Sequence, residues 1–131
     1  MAKEIKGIIP PIVTPFDADG AINSRLIEKE MKICIEAGVH GLSVGGSTGE
    51  GPTLRDEELV ELIHFAKGYL REDQSLVCGV MRTCTRDAVR AGLAAKEAGA
   101  DGLQCTCAER AGHVRFLQHH LKRSTDAGHY L

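Results

Sequence analysis

Tryptophan is absent, and three Phe and two Tyr bring aromatic residues to only 4% of the 131-residue chain. Few flat side chains are left on which exposed bases would stack. Charge of one sign is missing too, since 16 Lys and Arg stand against 18 Asp and Glu for a net of −2. Without a basic field to hold a phosphate backbone, nucleic-acid binding is not expected. No apolar run approaches the roughly 18–20 residues of a membrane span, and Met1-Ala2-Lys3-Glu4 opens into a strand-like segment without the apolar stretch of a secretion signal. A cytoplasmic protein without membrane association is expected. Cys34, Cys78, Cys84, Cys105 and Cys107 form an odd set without regular spacing, which fits free thiols better than a disulfide framework. Cys105-x-Cys107 with His113, His119, His120 and His129 does not match zinc-ligand spacings, so neither a metal nor another cofactor is expected.

What remains is an ordinary globular composition, 43% apolar and 26% charged, at the length of one domain. Ile5 to Val13 is β-branched and ends at Thr14-Pro15-Phe16, reading as a first strand. After a turn at Asp17–Gly20, Ser24 is the expected N-cap of a helix whose Leu26, Ile27, Met31, Ile33, Cys34 and Ala37 recur at helical spacing up to Gly38. Gly41–Val44 reads as a strand and Gly45–Thr53 as a glycine-rich loop. A second helix carries Leu59, Leu62, Ile63, Ala66 and Leu70 on one face, with Asp56, Glu57, Glu58 and Glu61 near its positive end. Leu76–Val80, Thr85–Ala98 and Gly102–Cys105 complete a βαβαβαβ order of about four strands and three helices. Connections long enough for helices make the strands parallel.

An internal repeat supports this order: Ala37-Gly-Val-His-Gly-Leu42 returns as Ala98-Gly-Ala-Asp-Gly-Leu103. Each copy predicts a helix stopped on a left-handed glycine and a short turn into a strand. The pattern establishes an α/β fold and leaves both a closed barrel and an open doubly wound sheet standing.

Gly45 to Gly51 follows a parallel strand, at the end where both architectures bind ligands. Its glycines allow close backbone approach, and Ser47 and Thr48 add hydroxyls beside backbone N–H groups, a combination suited to an anion. No Walker lysine or dinucleotide fingerprint is present, leaving a carboxylate or a small phosphate. The same residues also read as a tight turn with Ser47 and Thr48 capping it locally. Glu50 is expected to fix the loop by accepting backbone N–H bonds through its carboxylate rather than to act as acid or base.

Pro11-Ile-Val-Thr-Pro-Phe16 followed by Val44-Gly-Gly-Ser-Thr-Gly-Glu50 resembles the dihydrodipicolinate synthase and N-acetylneuraminate lyase family, class I aldolases built on (β/α)8 TIM barrels. The Ser-Thr form of the loop looks closer to the lyase branch. The resemblance runs from about Ile5 to Gln104 and implies the N-terminal half of such a barrel over residues 1–104, with parallel strands alternating with helices. It further implies lyase or aldolase chemistry on pyruvate or another 2-oxo acid held as a Schiff base on a barrel lysine. Carried over, Ser47, Thr48, Gly46 and Gly49 bind the substrate carboxylate, and Ser47 also serves as hydrogen-bond partner to the proton-relay tyrosine. The family further implies a homo-oligomer. Val80-Met81-Arg82 departs from the glycine and small polar residues that many members carry there, which bears on substrate preference.

Beyond Gln104 the family pattern would continue through a Tyr-Asn-x-Pro motif and a Gly-x-Lys strand bearing the Schiff-base lysine, and neither occurs in this sequence. Residues 105–131 therefore read as a divergent tail, with Val114, Leu117 and Leu121 at amphipathic-helix spacing. Lys122 beside Arg123 lacks the desolvated setting of a catalytic lysine and is not nominated. A whole barrel takes about 250 residues, so the expectation is a truncated, frameshift-like product whose open sheet self-associates or aggregates. The alternative to an enzyme is a catalytically inactive fragment that binds a small carboxylate or a full-length paralogue.

Overall fold

The computed structural model describes residues 3–106. The expected tail helix, Lys122 and the Cys107–His129 cluster lie outside the described residues. The last strand, expected over Gly102–Cys105, runs one residue further, to Thr106. The elements are α1 (Ser24–Glu36), β1 (Gly41–Val44), a single 3-10 turn (Gly51–Thr53), α2 (Asp56–Lys67), β2 (Ser75–Met81), α3 (Thr85–Glu97) and β3 (Gly102–Thr106). The three strands are parallel in the order β1-β2-β3, with Ser43 opposite Val77 and Gly79 opposite Gln104.

Ile5–Val13 does not form the expected strand. It runs beside β1 as an extended segment with one parallel bridge, Pro11 to Ser43, and three backbone hydrogen bonds: His40 N to Ile8 O, Ser43 N to Pro10 O and Ile12 N to Ser43 O. Pro10 and Pro11 have no N–H to give, so the ladder cannot extend through them. The start of α1 also differs by one residue. Asn23, not Ser24, is the N-cap, and its side chain accepts the Leu26 N–H at 3.0 Å. Both types cap well. Asn23 prevails because its own N–H donates to Pro15 O and its amide donates to Asp17 Oδ1, which fix it before the helix begins.

The sheet has two unlike faces because side chains alternate along a strand. Leu42, Val44, Leu76, Cys78, Val80 and Leu103 join Ile27 and Met31 of α1, Leu59, Leu62 and Ile63 of α2, and the small Ala88, Ala91 and Ala95 of α3 in one core. All three helices therefore feed one side of the sheet. On the opposite face Ser43, Val77 and Gln104, with Ile9, line a cavity of about 190 Å³. A doubly wound sheet covers both faces with helices; sequential strand order with helices on one side is the winding of a barrel.

The repeated helix-to-strand joint has a shared function at its fourth position. Gly38 and Gly99 carry positive φ (81° and 102°) and turn the chain out of α1 and α3. His40 then donates its N–H to Ile8 O and accepts the Ile8 N–H on Nδ1 at 3.0 Å. Asp101 does the same to Leu76, donating to its carbonyl and accepting its N–H on Oδ2 at 2.8 Å. Two different side chains thus grip both polar groups of one residue in the preceding segment. Asp101 also receives Lys67 Nζ at 3.0 Å. Asp101→Ala should lower the unfolding free energy by about 1.5–3 kcal/mol, the range for hydrogen bonds to a charged group. Asp101→Asn, which keeps an acceptor, should lose less, and denaturant titration of the two variants reads the difference.

Candidate functional site

β1 delivers the chain to its C-terminal end at Val44, and the glycine-rich loop begins there. It lies directly across β2 at Gly79. A Cβ at Gly79 would stand 2.4 Å from Gly46 Cα and 2.6 Å from Gly45 O, closer than any side chain permits. The loop then closes on itself at Gly51, where a Cβ would meet Gly45 O at 1.9 Å. Two glycines, one in the loop and one in the neighbouring strand, are therefore required by contact.

The polar backbone groups of this loop are used unequally. Gly46 O accepts Gly51 N–H at 2.9 Å, and Ser47 O accepts Glu50 N–H at 3.2 Å. Gly49 O accepts the Thr14 hydroxyl at 2.7 Å. Glu50 O takes both the N–H of Thr53, at 2.9 Å, and its hydroxyl, at 2.8 Å. Gly51 O takes Leu54 N–H at 3.3 Å and Arg82 Nη1 at 3.1 Å. By contrast, the N–H groups of Ser47, Thr48 and Gly49 donate to nothing among the described residues. The carbonyls of Gly46, Ser47, Gly49, Glu50 and Gly51 are taken while three successive N–H groups are left over, a polarity that suits an anion.

Ser47 and Thr48 are exposed at the rim of this turn, and Gly46 and Gly49 are buried beneath them, so the four expected site residues share one tight loop. Glu50 does not play the expected part. Its side chain is exposed, and the bonds that fix the turn run through its backbone, which adopts the left-handed conformation at φ 53°. Thr14, which the sequence offered only as a motif letter, is 2% exposed and couples the Thr-Pro-Phe segment to the loop. A hydroxyl between β-branched and proline residues, next to a turn, was the available signal.

Arg82 was also missed as a structural participant. Its side chain is only 11% exposed. Nε and Nη2 reach Asp56 Oδ1 at 3.2 and 2.9 Å, while Nη1 donates to Gly51 O and to Met81 O at 3.0 Å. Asp56, the first residue of α2, gives its other oxygen to Arg90 Nε at 2.7 Å. Arg90 continues to Asp87 at 2.8 Å. Outside this chain of charges lies an open cavity of about 470 Å³ bordered by Pro52, Arg55, Asp56, Arg82 and Arg90. The buried Cys78 thiol donates to its neighbour Gly79 O at 3.6 Å. Burial, and next the neighbouring Cys105, push Cys78 up to about 12, so it stays protonated at neutral pH.

Asp56 makes a prediction about acid. Burial alone would raise its pKa, but hydrogen bonds from Arg90 and Arg82, with their positive charges, outweigh that and hold it below the ordinary carboxylate value. A depressed carboxylate stabilises the fold fully above its unfolded pKa, and that stability is lost as pH falls through the folded one. Relative to the parent protein, Asp56→Asn should be less stable near neutrality, with the gap narrowing as the pH is lowered below the normal carboxylate range. Melting temperatures across an acid series give the measurement.

The model of the Dihydrodipicolinate synthetase family matches residues 4–106. The 4-hydroxy-tetrahydrodipicolinate synthase of Parasynechococcus marenigrum is 37% identical over 95 residues, which are 72% of this chain and 32% of that protein. The crystal structure of dihydrodipicolinate synthase from Aquifex aeolicus superposes with a TM-score of 0.77 at 28% identity, over 93% of this chain and 43% of that one. A prophage protein of the dihydrodipicolinic acid synthase family from E. coli K12, solved in complex with pyruvate, gives 0.75 at 30% identity, over 92% and 41%. The chain thus spans a third to under half the length of these relatives, and its strands and helices match the N-terminal part of their TIM barrel. On the family model and this identity together, the chain belongs to the dihydrodipicolinate synthetase family.

Proposed function

We propose that the Gly45–Gly51 loop binds the carboxylate of a 2-oxo acid, pyruvate or a close relative, as the anion-holding part of a pyruvate-dependent lyase or aldolase site. The observation that carries this reading is the excess of donors: N–H groups of Ser47, Thr48 and Gly49 without partners among the described residues, beside two exposed hydroxyls. A carboxylate supplies the acceptors this loop lacks, and charge-assisted bonds are about twice as strong as neutral ones. The complex of the prophage relative with pyruvate supports the choice of acid. Ser47 and Thr48 are the hydroxyl donors, with Ser47 also the partner of a proton-relay group in a complete site. Gly46 and Gly49 let the backbone come within reach.

Schiff-base chemistry requires in addition a lysine in a desolvated pocket. The family's Gly-x-Lys motif does not occur in this sequence, so the proposal is confined to binding and orienting the acid. Ser47→Ala combined with Thr48→Ala removes two charge-assisted bonds, each worth about 1.5–3 kcal/mol. Calorimetric titration of the full chain with pyruvate should show affinity falling by at least tenfold in the double variant. Equal affinity in parent and variant would reduce the loop to a turn. Borohydride reduction in the same pyruvate mixture separates binding from chemistry: an unchanged protein mass is expected, whereas a mass gain on a lysine would show that the chain forms the imine itself.

A further inference from the structure

We infer that Arg82 is a positioning residue for the carboxylate loop, fastening its last carbonyl to the ends of β2 and α2 and so keeping the amides of Ser47–Gly49 free for the ligand. The inference rests on the carboxylate reading of the loop.

Three elements meet at this one guanidinium. Nη1 bonds the last carbonyl of β2, at Met81, and the carbonyl of Gly51 where the loop ends. Nε and Nη2 bond Asp56 at the start of α2. Every nitrogen of Arg82 is therefore engaged, with four of its five N–H groups spent inside the protein and the side chain only 11% exposed. Those bonds tie it to the loop and to its neighbouring elements, so it acts through the loop. Gly51 is buried, and its other donor, Leu54 N–H, is at 3.3 Å, the long end of the hydrogen-bond range. Without Arg82, the Gly51 carbonyl keeps that one long bond in a crowded turn. The amides of Ser47, Thr48 and Gly49 have no described acceptor, and a released carbonyl that captured one of them would remove a ligand contact.

The geometry also explains why arginine is needed. Lysine is a point charge on a flexible stem and cannot place separate donors on Gly51, Met81 and Asp56 at once. Arg90 serves as the contrast. It touches the same carboxylate but is 62% exposed, with no described bond to the loop, so losing it weakens Asp56's hold without releasing Gly51.

The test uses the whole chain, isotope-labelled, in four forms: parent, Arg82→Ala, Arg82→Lys and Arg90→Ala. Amide exchange is followed by NMR at Gly51 and Glu50, whose N–H groups close the turn, and at Ile63 and Leu42 as reporters of the core. Pyruvate affinity is measured on the same samples. In Arg82→Ala we expect exchange at Gly51 and Glu50 to rise about tenfold or more, the equivalent of one lost charge-assisted bond, with the core reporters unchanged and pyruvate affinity down by a similar factor. Arg82→Lys should lie closer to Arg82→Ala than to the parent, and Arg90→Ala within about twofold of the parent. Unchanged exchange at Gly51 in Arg82→Ala overturns the inference, as does exchange raised equally in the core, which would mean general destabilisation. A match between Arg82→Lys and the parent also overturns it, since charge alone would then suffice. If the parent itself shows no pyruvate binding, the carboxylate reading fails while the exchange data still decide whether Arg82 holds the loop.

Discussion

The loop after β1 can exist only because nothing stands between it and β2. Gly79 leaves the strand surface bare where Gly45 and Gly46 cross it, and the turn so formed uses its carbonyls internally or on Thr14 and Arg82. The donors left over follow from that closure. Among the described residues the carbonyls of Gly46, Ser47, Gly49, Glu50 and Gly51 have partners within the protein, while the amides of Ser47, Thr48 and Gly49 have none. Thr14 on one side and Arg82 on the other act as opposite pins, one from the extended N-terminal segment, the other from the end of β2. The sheet therefore does more than carry the loop: its neighbouring segments determine which polar groups the loop can present.

Much of the framework was legible because it is periodic. The apolar Leu76–Val80 run locates β2 to within one residue at each end, and helical spacing in Leu59, Leu62, Ile63 and Ala66 locates α2, although Leu70, expected on the same face, lies three residues beyond the helix end at Lys67. The Ala-Gly-x-x-Gly-Leu repeat correctly marks two equivalent joints with left-handed glycines. Its fourth position hid a second regularity, because His40 and Asp101 look unrelated as letters and become alike only when each is seen holding both polar groups of a residue in the preceding segment. Long-range hydrogen bonds defeated the other readings. Ser24 yielded the cap to Asn23 through contacts with Asp17 and Pro15, and the loss of two N–H donors at Pro10 and Pro11 left an extended segment where hydrophobicity suggested a strand. Arg82 read as a departure from a family pattern; its bonds to Asp56 and Gly51, 26 and 31 residues away in sequence, have no local signature.

Helices on a single side of a sequentially ordered parallel sheet connect this chain to the TIM barrel of its family, and the unfilled face marks where barrel interior would be. Ser43 Oγ is buried on that face without a partner among the described residues, beside Ile9, Val77 and Gln104. Such a group costs free energy unless something satisfies it. The two ends of the sheet thus have distinct characters. At the C-terminal end of β1 the polar groups are arranged with a surplus of donors, while deeper along the strands the interior is incompletely filled.

The central claim is that the Ser47–Gly49 amides await a carboxylate, and the most direct measurement is an NMR titration of the isotope-labelled full chain with pyruvate and, in parallel, with its uncharged amide. The account predicts saturable shifts of the Ser47, Thr48 and Gly49 amide resonances with pyruvate and far smaller ones with the amide. Shifts that are absent, or equal for the two compounds, would contradict it.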